Sequence, residues 1–373
     1  MVPYLRAANV KDGLLDLSDV KEMNFSPYEQ AIFALRPGDV LVSEGSGSLS
    51  SVGASAVWAG EIPGRVCFQN TLLRLRPRPG THGQYLAWWC RHAFADGVFA
   101  SVATGANIFH VSAERVRNLP MVDLPFALQR AIADYLDAET ARIDALIEKK
   151  RRMVGLLDER LVAAVDELTA GMHQIPLRRI ASVTYGLGQP PPLSQSPTDV
   201  PIIRATNVFR GRIDADDLIR AKVEDLPLGR APLLSFGEIL VVRSGAYTGD
   251  SALVTRDWVG SAPGYDLRVT PTATDSQLLA MQMLGRRFLD QVDIAKGRAA
   301  QPHLNAEDLG DVVVMTASAS REKTVATNLV ALDQSRRDTV DTVERQVRLL
   351  VERRQALITA AVTGQLDIPG VAA

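Results

Sequence analysis

The chain has 373 residues, of which 46% are hydrophobic and 23% are charged, and its formal net charge is −2. This length is too great for one ordinary domain, and the composition excludes a disordered protein. No apolar run reaches about 18 residues, which excludes a membrane-spanning helix, and the N-terminus has none of the segments of a secretory signal. Cys67 and Cys90 form neither a disulfide framework nor a metal-ligand pattern. We therefore expect a cytoplasmic protein of about two or three domains.

The net charge alone does not identify a partner. A nucleic-acid-binding protein is usually basic, so a net charge of −2 counts against this class. A basic face can nevertheless coexist with acidic surfaces that bind a protein partner, and the net charge does not resolve that arrangement. A DNA-binding protein and a protein-binding scaffold therefore both remain open at this point.

An internal repeat runs through the chain. Residues 2–10, Val-Pro-Tyr-Leu-Arg-Ala-Ala-Asn-Val, return at 200–208 as Val-Pro-Ile-Ile-Arg-Ala-Thr-Asn-Val. Two further pairs of matching segments follow in the same order: 37–42 with 236–241, and 110–114 with 303–307. From the last pair a constant offset of 193 continues to the glycine pair Gly171 and Gly364. The repeat predicts two similar halves, each a globular domain followed by a long helix, related by an approximate two-fold axis.

The globular parts, residues 1–122 and 172–319, are predicted to have a β-rich α+β fold. Short apolar runs between clusters of Gly, Pro, Ser and Asp are typical of strands, and they occur at 39–43, 237–243 and 311–315. Two helical stretches lie at 83–94 and 276–292. Residues 175–199 have no counterpart in the first half, so we expect that half to lack an opening strand or to begin at an internal start.

Each globular part is followed by a long helical pattern, at 126–169 and at about 321–362. Apolar residues recur there at steps of three and four or at multiples of seven, with charged residues beside them, which is typical of a coiled coil. The predicted seam comprises Ile132, Leu136, Ile143, Ile147, Val154, Leu157, Leu161, Ala164 and Leu168 in the first helix, and Val325, Leu329, Leu332, Val340, Val343, Val347, Leu350, Leu357 and Ala361 in the second. About 43 residues correspond to roughly 65 Å of helix. Since neither helix can bury its stripe alone, we expect an antiparallel coiled coil that separates the two globular domains.

Three basic side chains fall in or near this seam. Lys150 fills a gap in the first helix, and Arg336 and Arg354 lie near seam positions of the second. We interpret the two arginines as end-of-seam residues that reach solvent by their aliphatic stems, rather than as contacts to a partner. Gly171 and Gly364 follow the helices directly, where glycine caps occur.

Two helical segments carry a resemblance to a known family. Residues 124–150, which begin Leu-Pro-Phe-Ala-Leu-Gln-Arg-Ala-Ile-Ala, resemble the central conserved helix of the specificity subunits of type I restriction–modification enzymes. Residues 352–364, Glu-Arg-Arg-Gln-Ala-Leu-Ile-Thr-Ala-Ala-Val-Thr-Gly, resemble the C-terminal conserved helix of the same family. The order of domain and helix follows the family over the whole chain. Phe126 and Leu128 depart from the family pattern, which has a proline and a glutamate there.

The resemblance implies a domain layout and a function. Target-recognition domain 1 would comprise 1–122, the central conserved helix 123–171, target-recognition domain 2 172–319, the C-terminal conserved helix 320–366, and a tail 367–373. Each recognition domain would bind one half-site of a bipartite double-stranded DNA target. The helices would fix the unread spacer and dock two methyltransferase (M) subunits, with restriction motor–nuclease (R) subunits added to them.

The resemblance also implies that this chain is not catalytic and binds no cofactor or metal, since S-adenosylmethionine, ATP and Mg²⁺ are expected on the partner subunits. The sequence contains no Asn-Pro-Pro-aromatic or Asp-Pro-Pro-Tyr tetrapeptide of the kind that seats a flipped adenine. Residues 45–48, Gly-Ser-Gly-Ser, lack the Gly-Lys-Ser/Thr continuation of a phosphate-binding loop, and the five histidines have no metal-ligand spacing. A coiled-coil scaffold with two peptide- or protein-binding lobes remains the alternative.

Candidate DNA contacts are polar side chains in glycine-flanked loops that occur in both halves, because their donors and acceptors match base edges. They are Arg6, Asn9, Ser46, Ser48, Asn107 and His110 in the first half, and Arg204, Asn207, Arg243, Tyr247, Thr248, Arg298, Gln301 and His303 in the second. Residues that recur in both halves also fit a structural role in a shared turn, whereas residues that differ are better candidates for sequence reading. The acidic run 214–217 is interpreted as a solvated turn facing away from DNA.

Overall fold

The computed structural model of the chain describes residues 1–227, 232–296 and 303–368. They fall into two units: Met1–Lys150 together with Glu344–Ala373, called unit 1, and Arg151–Val343, called unit 2. Each unit contains one globular region and a segment of each of the two long helices. Within the described parts of the chain, no helix is both long enough and apolar enough to cross a membrane.

Unit 1 combines short strands with helices. Its strands are β1 (Val2–Leu5), β2 (Val10–Lys11), β3 (Leu14–Leu15), β4 (Lys21–Met23), β5 (Asp39–Ser43), β6 (Gly45–Ser46), β7 (Ser55–Trp58), β8 (Cys67–Phe68), β9 (Leu72–Leu75) and β10 (Phe109–His110). Its helices are α1 (Pro27–Phe33), α2 (Gly83–Ala95), α3 (Val98–Ser101), α4 (Ala113–Arg117) and the first part of α5 (Phe126–Leu168). The strands form two three-stranded sheets, β4-β1-β8 and β7-β5-β9, and the pairs β10-β6 and β2-β3.

Unit 2 has the same kinds of element in a similar order. Its strands are β11 (His173–Pro176), β12 (Ala181–Tyr185), β13 (Val200–Ile203), β14 (Val208–Phe209), β15 (Arg212–Ile213), β16 (Ile219–Ala221), β17 (Ile239–Val241), β18 (Ser251–Leu253), β19 (Ala262–Pro263), β20 (Leu267–Pro271) and β21 (Val313–Thr316). Its helices are the rest of α5, α6 (Ser276–Gln282), α7 (Arg286–Lys296), α8 (Ala306–Asp311) and the first part of α9 (Ala319–Val362). Its sheets are β12-β20-β17-β18, β16-β13-β19, β11-β21 and β14-β15.

The strand pairing of unit 1 recurs in unit 2. In unit 1, β1 is parallel to β8, with Tyr4 opposite Cys67, and antiparallel to β4. In unit 2, β13 is parallel to β19, with Ile202 opposite Ala262, and antiparallel to β16. The four-stranded sheet of unit 2 resembles β7-β5-β9 with β12 added beside β20, and β12 lies within the stretch 175–199 that the first half lacks. The predicted mixture of helix and strand is confirmed.

The stretch predicted to be helical at 276–292 is helical but is interrupted by a short break. The structure has two helices there, because α6 ends at Gln282 and α7 begins at Arg286. Gly285 separates them, and a Cβ at this glycine would lie 2.7 Å from Cγ1 of Val165 on α5. The close approach to α5 therefore requires a glycine. Both helices bury apolar residues in the same core cluster, so the apolar periodicity continues across the break and hides it.

In unit 1 the segments of α5 and α9 pack against each other. Ile132 and Leu136 of α5 share one core cluster with Ile358 and Val362 of α9 and with the aromatic residues of α2. Further along α5 the contacts reach earlier residues of α9, since Asp144 lies 3.3 Å from Arg354 and Lys150 donates a hydrogen bond to Gln346. The partner number falls as the α5 number rises, so the two segments are antiparallel.

In unit 2 the remaining segments of the same helices are also antiparallel. Leu161 and Val165 of α5 share a core cluster with Leu329 and Val325 of α9. The interpretation of Arg336 as a side chain that reaches solvent is wrong. Its side chain is 15% exposed, and its guanidinium donates hydrogen bonds to Asp158 of α5 and Asp333 of α9. Arg354 of unit 1 is likewise paired with a carboxylate and is mostly buried.

Near the C-terminal end of each long helix the buried face lies one residue later than one of the predicted seam positions. On α5, Ala164 is only partly buried, whereas Val165 is 1% exposed, and Leu168 is 36% exposed. Near the end of α9, Leu357 is only partly buried, whereas Ile358 is 1% exposed. A helix has 3.6 residues per turn, so its buried face drifts away from a strict seven-residue repeat over several turns.

Candidate nucleic-acid interface

The repeated asparagines Asn9 and Asn207 each hold a turn together. The Asn207 side chain is fully buried, its Oδ1 accepts from the Arg204 amide, and its Nδ2 donates to the carbonyl oxygens of Asp214 and Asp216. Asn9 makes the equivalent three hydrogen bonds in unit 1. Because these amide groups have their partners within the turn, the geometry favours the structural role over a contact with bases.

The repeated arginines at these turns are ion-paired in the same way. Arg6 pairs with Asp19 at 2.5 Å, and Arg204 pairs with Asp217 at 2.9 Å. Both arginine side chains are about one-third exposed. The acidic run 214–217 is a largely exposed turn that supplies Asp217 and the two carbonyl groups bound by the buried asparagine.

In unit 2 several candidate residues meet at the end of strand β17. Arg243 follows this strand, and its guanidinium lies over the rings of Tyr185 and Tyr265, with Cζ 4.8 and 5.3 Å from the ring centroids. The Arg243 Nη2 lies 2.5 Å from Nε2 of His303. A guanidinium has no acceptor, so it is the donor and this imidazole nitrogen is the acceptor. Cation–π contacts with the two rings fix the plane of the guanidinium.

Asp266 lies beneath this arginine and is 2% exposed. Its Oδ1 accepts a hydrogen bond of 3.1 Å from the backbone N–H of Arg243. Burial raises the pKa of Asp266 to about 6, although that hydrogen bond and the positive charge of Arg243 act in the opposite direction. We call Tyr185, Arg243, Tyr265, Asp266 and His303 the loop-end cluster of unit 2.

Unit 1 has the same backbone arrangement with different side chains. In unit 1 the amide of Val111 donates to the Glu44 carbonyl at 2.9 Å, and in unit 2 the amide of Leu304 donates to the Arg243 carbonyl at 2.8 Å. His110 lies opposite Gly45, just as His303 lies opposite the residue after Arg243. Glu44 of unit 1 therefore occupies the position of Arg243 in unit 2.

The imidazole of His110 covers Gly45, where an added Cβ would lie 2.7 Å from Nδ1. Asn107 of the same loop is exposed, in a tight turn that needs Gly105: its φ is +124°, and a Cβ there would lie 1.9 Å from the carbonyl oxygen of Ile108.

The remaining candidates lie in the loops around these positions. In unit 1, Ser46 Oγ accepts from the Ser48 amide, and Ser48 is exposed. In unit 2, Tyr247 is 47% exposed and packs on Phe209, with the ring centroids 5.9 Å apart. Thr248 is buried, and its hydroxyl donates to the carbonyl of residue 245. Arg298 and Gln301 lie outside the described residues.

Four residues of these sites do not appear among the candidates chosen from the sequence: Glu44, Tyr185, Tyr265 and Asp266. Glu44 could have been found from the sequence, because the offset between the matching segments 37–42 and 236–241 aligns it with Arg243. Tyr185 lies in the stretch without a counterpart in the first half, and no motif marks Tyr265 or Asp266. Among the described residues, no three His, Cys, Asp or Glu side chains come together as a metal site.

In sequence the chain is similar to two specificity subunits. It is 24% identical over 260 residues to the type I restriction enzyme EcoKI specificity subunit of Escherichia coli (strain K12), across 65% of this chain and 54% of that protein. It is 27% identical over 186 residues to the type I restriction enzyme StySPI specificity subunit of Salmonella potsdam, across 49% of this chain and 39% of that protein. The matches thus span about half or less of these curated relatives. No family model matches the chain.

The fold is similar to solved structures of the same kind of protein. A chain from a structure concerned with complex assembly and conformational transition of the type I R-M system has a TM-score of 0.64 and 15% identity, covering 98% of this chain and 92% of that chain. The HsdS subunit from Thermoanaerobacter tengcongensis has a TM-score of 0.51 and 15% identity, covering 98% and 91%. The comparisons thus confirm the resemblance: in sequence the chain is similar to specificity subunits of type I restriction enzymes, and in fold it is similar to an HsdS subunit.

Proposed function

We propose that this chain is the DNA-specificity subunit of a type I restriction–modification enzyme, with one half-site of a bipartite target bound by each recognition domain, residues 1–122 and 172–319. One observation carries the proposal. The same backbone arrangement occurs once in each unit, just after β5 or β17, with a histidine on the opposite segment. The other side chains beside this histidine differ between the two units. Two similar sites with different polar groups are what a protein needs to bind two different half-sites.

The exposed side chains near the end of β17 are suited to binding nucleic acid. Tyr185 is 49% exposed and Tyr265 56% exposed, and they flank a guanidinium that retains free donors. Arginine forms paired hydrogen bonds with guanine edges and with phosphates, and aromatic faces beside it hold its plane. The near-neutral net charge of the chain is compatible with this surface, because only local charge faces the DNA.

The partners follow from the same proposal. Two M subunits dock on the conserved helices, 123–171 and 320–366, and R subunits join that complex. These partners supply S-adenosylmethionine, ATP and Mg²⁺, while this chain supplies no catalytic group. The similarity to proteins named as specificity subunits of restriction enzymes supports this division of labour.

The test uses the full chain co-expressed with the M subunit of the same restriction–modification system. The purified complex is expected to methylate adenine within a two-part motif in a randomised duplex library, and the chain alone is expected to transfer no methyl group. Binding to the selected duplex is expected to weaken steeply as salt rises, because phosphate contacts release counterions. A complex that selects no motif, and whose partner binding is insensitive to salt, would support the alternative of a scaffold with peptide-binding lobes.

A second experiment tests the proposed role of the helices as a ruler. Asp144 faces Arg354 and Lys150 faces Gln346, so removal of residues 145–151 together with 346–352 takes one heptad from each helix and keeps the pairing in register. Seven residues correspond to roughly 10 Å, or about three base pairs. We expect the same two half-sites with a shorter spacer. An unchanged spacer would refute the ruler.

A further inference from the structure

Glu44 and Arg243 occupy equivalent positions but carry opposite charges. We propose that this position is where each recognition domain distinguishes the bases of its half-site, with Arg243 contacting a guanine and Glu44 contacting a cytosine. The inference rests on the proposed function and names the specificity-determining residue of each domain. The backbone hydrogen bond that defines the equivalence is 2.9 Å long in unit 1 and 2.8 Å long in unit 2. The two side chains therefore start from the same backbone arrangement.

The backbone arrangement around this position is the same in both units, whereas the side chain at the position differs. His110 of β10 and His303, which forms an isolated bridge, both lie opposite the residue that follows Glu44 or Arg243. A shared residue cannot tell two different half-sites apart, whereas a residue that changes between the domains can. The variable position lies at the carboxyl end of a fully buried strand, β5 or β17, which fixes where its side chain begins.

The opposite charges of Glu44 and Arg243 favour contacts with bases over contacts with phosphates at this position. A guanidinium is attracted to phosphates, but a carboxylate is repelled by them, so a contact with the DNA backbone does not account for both residues. Base edges provide partners for both. Guanine offers the acceptors O6 and N7, which match the arginine fork, and cytosine offers the N4 amino group, which donates to a carboxylate.

The Arg243 side chain is prepared for such a contact. Its plane is fixed between Tyr185 and Tyr265, and one Nη2 donor is directed at His303. The guanidinium has five N–H donors, so donors remain for a base edge. The Glu44 carboxylate is partly exposed and makes no hydrogen bond or ion pair with another residue that the structure describes, so its acceptors are available.

Two substitutions by glutamine test the proposal, because glutamine prefers adenine. The full chain is studied in complex with its methyltransferase subunits, and the target is determined by methylation of a randomised duplex library. We expect Arg243→Gln to replace guanine by adenine in one half-site only, and Glu44→Gln to replace cytosine by adenine in the other half-site only. The preference for the original base is expected to fall by roughly 5- to 150-fold in each case.

Matched control variants lie elsewhere in the same units. Arg256→Gln removes an arginine that also packs on an aromatic ring, Phe236, at the opposite end of the β17–β18 pair. Glu22→Gln removes an exposed carboxylate from β4. Both controls are expected to leave the motif unchanged.

The possible results distinguish a failure of the proposed function from a failure of the inference. If the wild-type complex selects no two-part motif, the proposed function itself fails. If it selects one that Arg243→Gln and Glu44→Gln leave unchanged, or if they lower affinity equally for all sequences, the inference fails while the proposed function stands. Since the variants lie in different units, misfolding of one, detected by circular dichroism, leaves the other to decide.

Discussion

The Arg336 guanidinium on α9 donates a hydrogen bond of 2.6 Å to the Asp158 carboxylate on α5. Asp333, one turn earlier on α9 and 4% exposed, accepts hydrogen bonds from both Arg336 and Arg337. We expect Asp333→Asn to destabilise the protein by about 2–4 kcal/mol, because two mostly buried guanidinium groups lose their shared counter-charge. Asp158→Asn is expected to cost less than about 1 kcal/mol, since that carboxylate is 49% exposed. Urea unfolding monitored by circular dichroism measures both, and equal losses would contradict this account.

Asn207 provides a test of the structural role of the repeated turn. Asn207→Ala removes three hydrogen bonds from a fully buried site and leaves two carbonyl groups and one amide without that partner. We expect a loss of about 2–3 kcal/mol in the free energy of unfolding. DNA affinity per folded molecule is expected to stay unchanged, because the side chain faces its own turn. A large loss of affinity in a fully folded variant would instead assign Asn207 to the DNA interface.

Two glycines on or beside the long helix α5 predict opposite effects of the same substitution. Gly285→Ala places a Cβ 2.7 Å from Val165, and we expect it to destabilise the protein by about 1–3 kcal/mol through overpacking. Gly155→Ala places a Cβ in open space on an exposed helix surface, and we expect it to stabilise the protein by about 0.5–1 kcal/mol. Thermal unfolding of the two variants measures the contrast. A destabilising Gly155→Ala would show that the helix needs that glycine for another reason.

Asp266 predicts a pH dependence of stability. Its pKa is raised from 3.8 to about 6 in the folded protein. Stability from this raised pKa is fully present below about pH 4 and is lost as the pH rises through about 6. Asp266→Asn keeps the acceptor for the Arg243 amide and has no carboxylate to ionise. We expect it to exceed the wild type in stability by up to about 3 kcal/mol at pH 8, with the difference shrinking towards pH 4. Urea unfolding at both pH values decides, and a pH-independent difference would contradict the assignment.

The elements that could be predicted from the sequence are those with a long pattern of apolar residues within one continuous segment. α5 begins at Phe126, as predicted, because a 43-residue apolar stripe without proline has no other stable form in water. The recurrence of Asn9 at 207 correctly marked equivalent turns. The break at Gly285 was missed, since it depends on the approach of Val165, which is far away in sequence. Arg336 was misjudged for the same reason, because its partner Asp158 lies on the other helix.

The candidate site was predicted only in part. His303 and Arg243 were both identified from their loops, and the structure brings them to 2.5 Å from each other. Tyr185 approaches the same guanidinium from the end of β12, and Tyr265 approaches it from the bend between β19 and β20. No sequence motif marks either tyrosine, so only the fold reveals them. The equivalence of Glu44 and Arg243 follows from the offset between the matching segments 37–42 and 236–241, and the backbone hydrogen bonds of the two units confirm it.

Unit 1 is built from two separate parts of the chain, and this affects the order in which the two units can fold during synthesis. Unit 2 is one continuous stretch, so all of its internal partners exist once residue 343 has emerged from the ribosome. Unit 1 must wait, because its core includes Ile358 and Val362, and the Tyr85 hydroxyl donates to the Val362 carbonyl. The half that is translated first therefore matures after unit 2, and its α2 tryptophans stay accessible to chaperones until residues 358–362 have emerged.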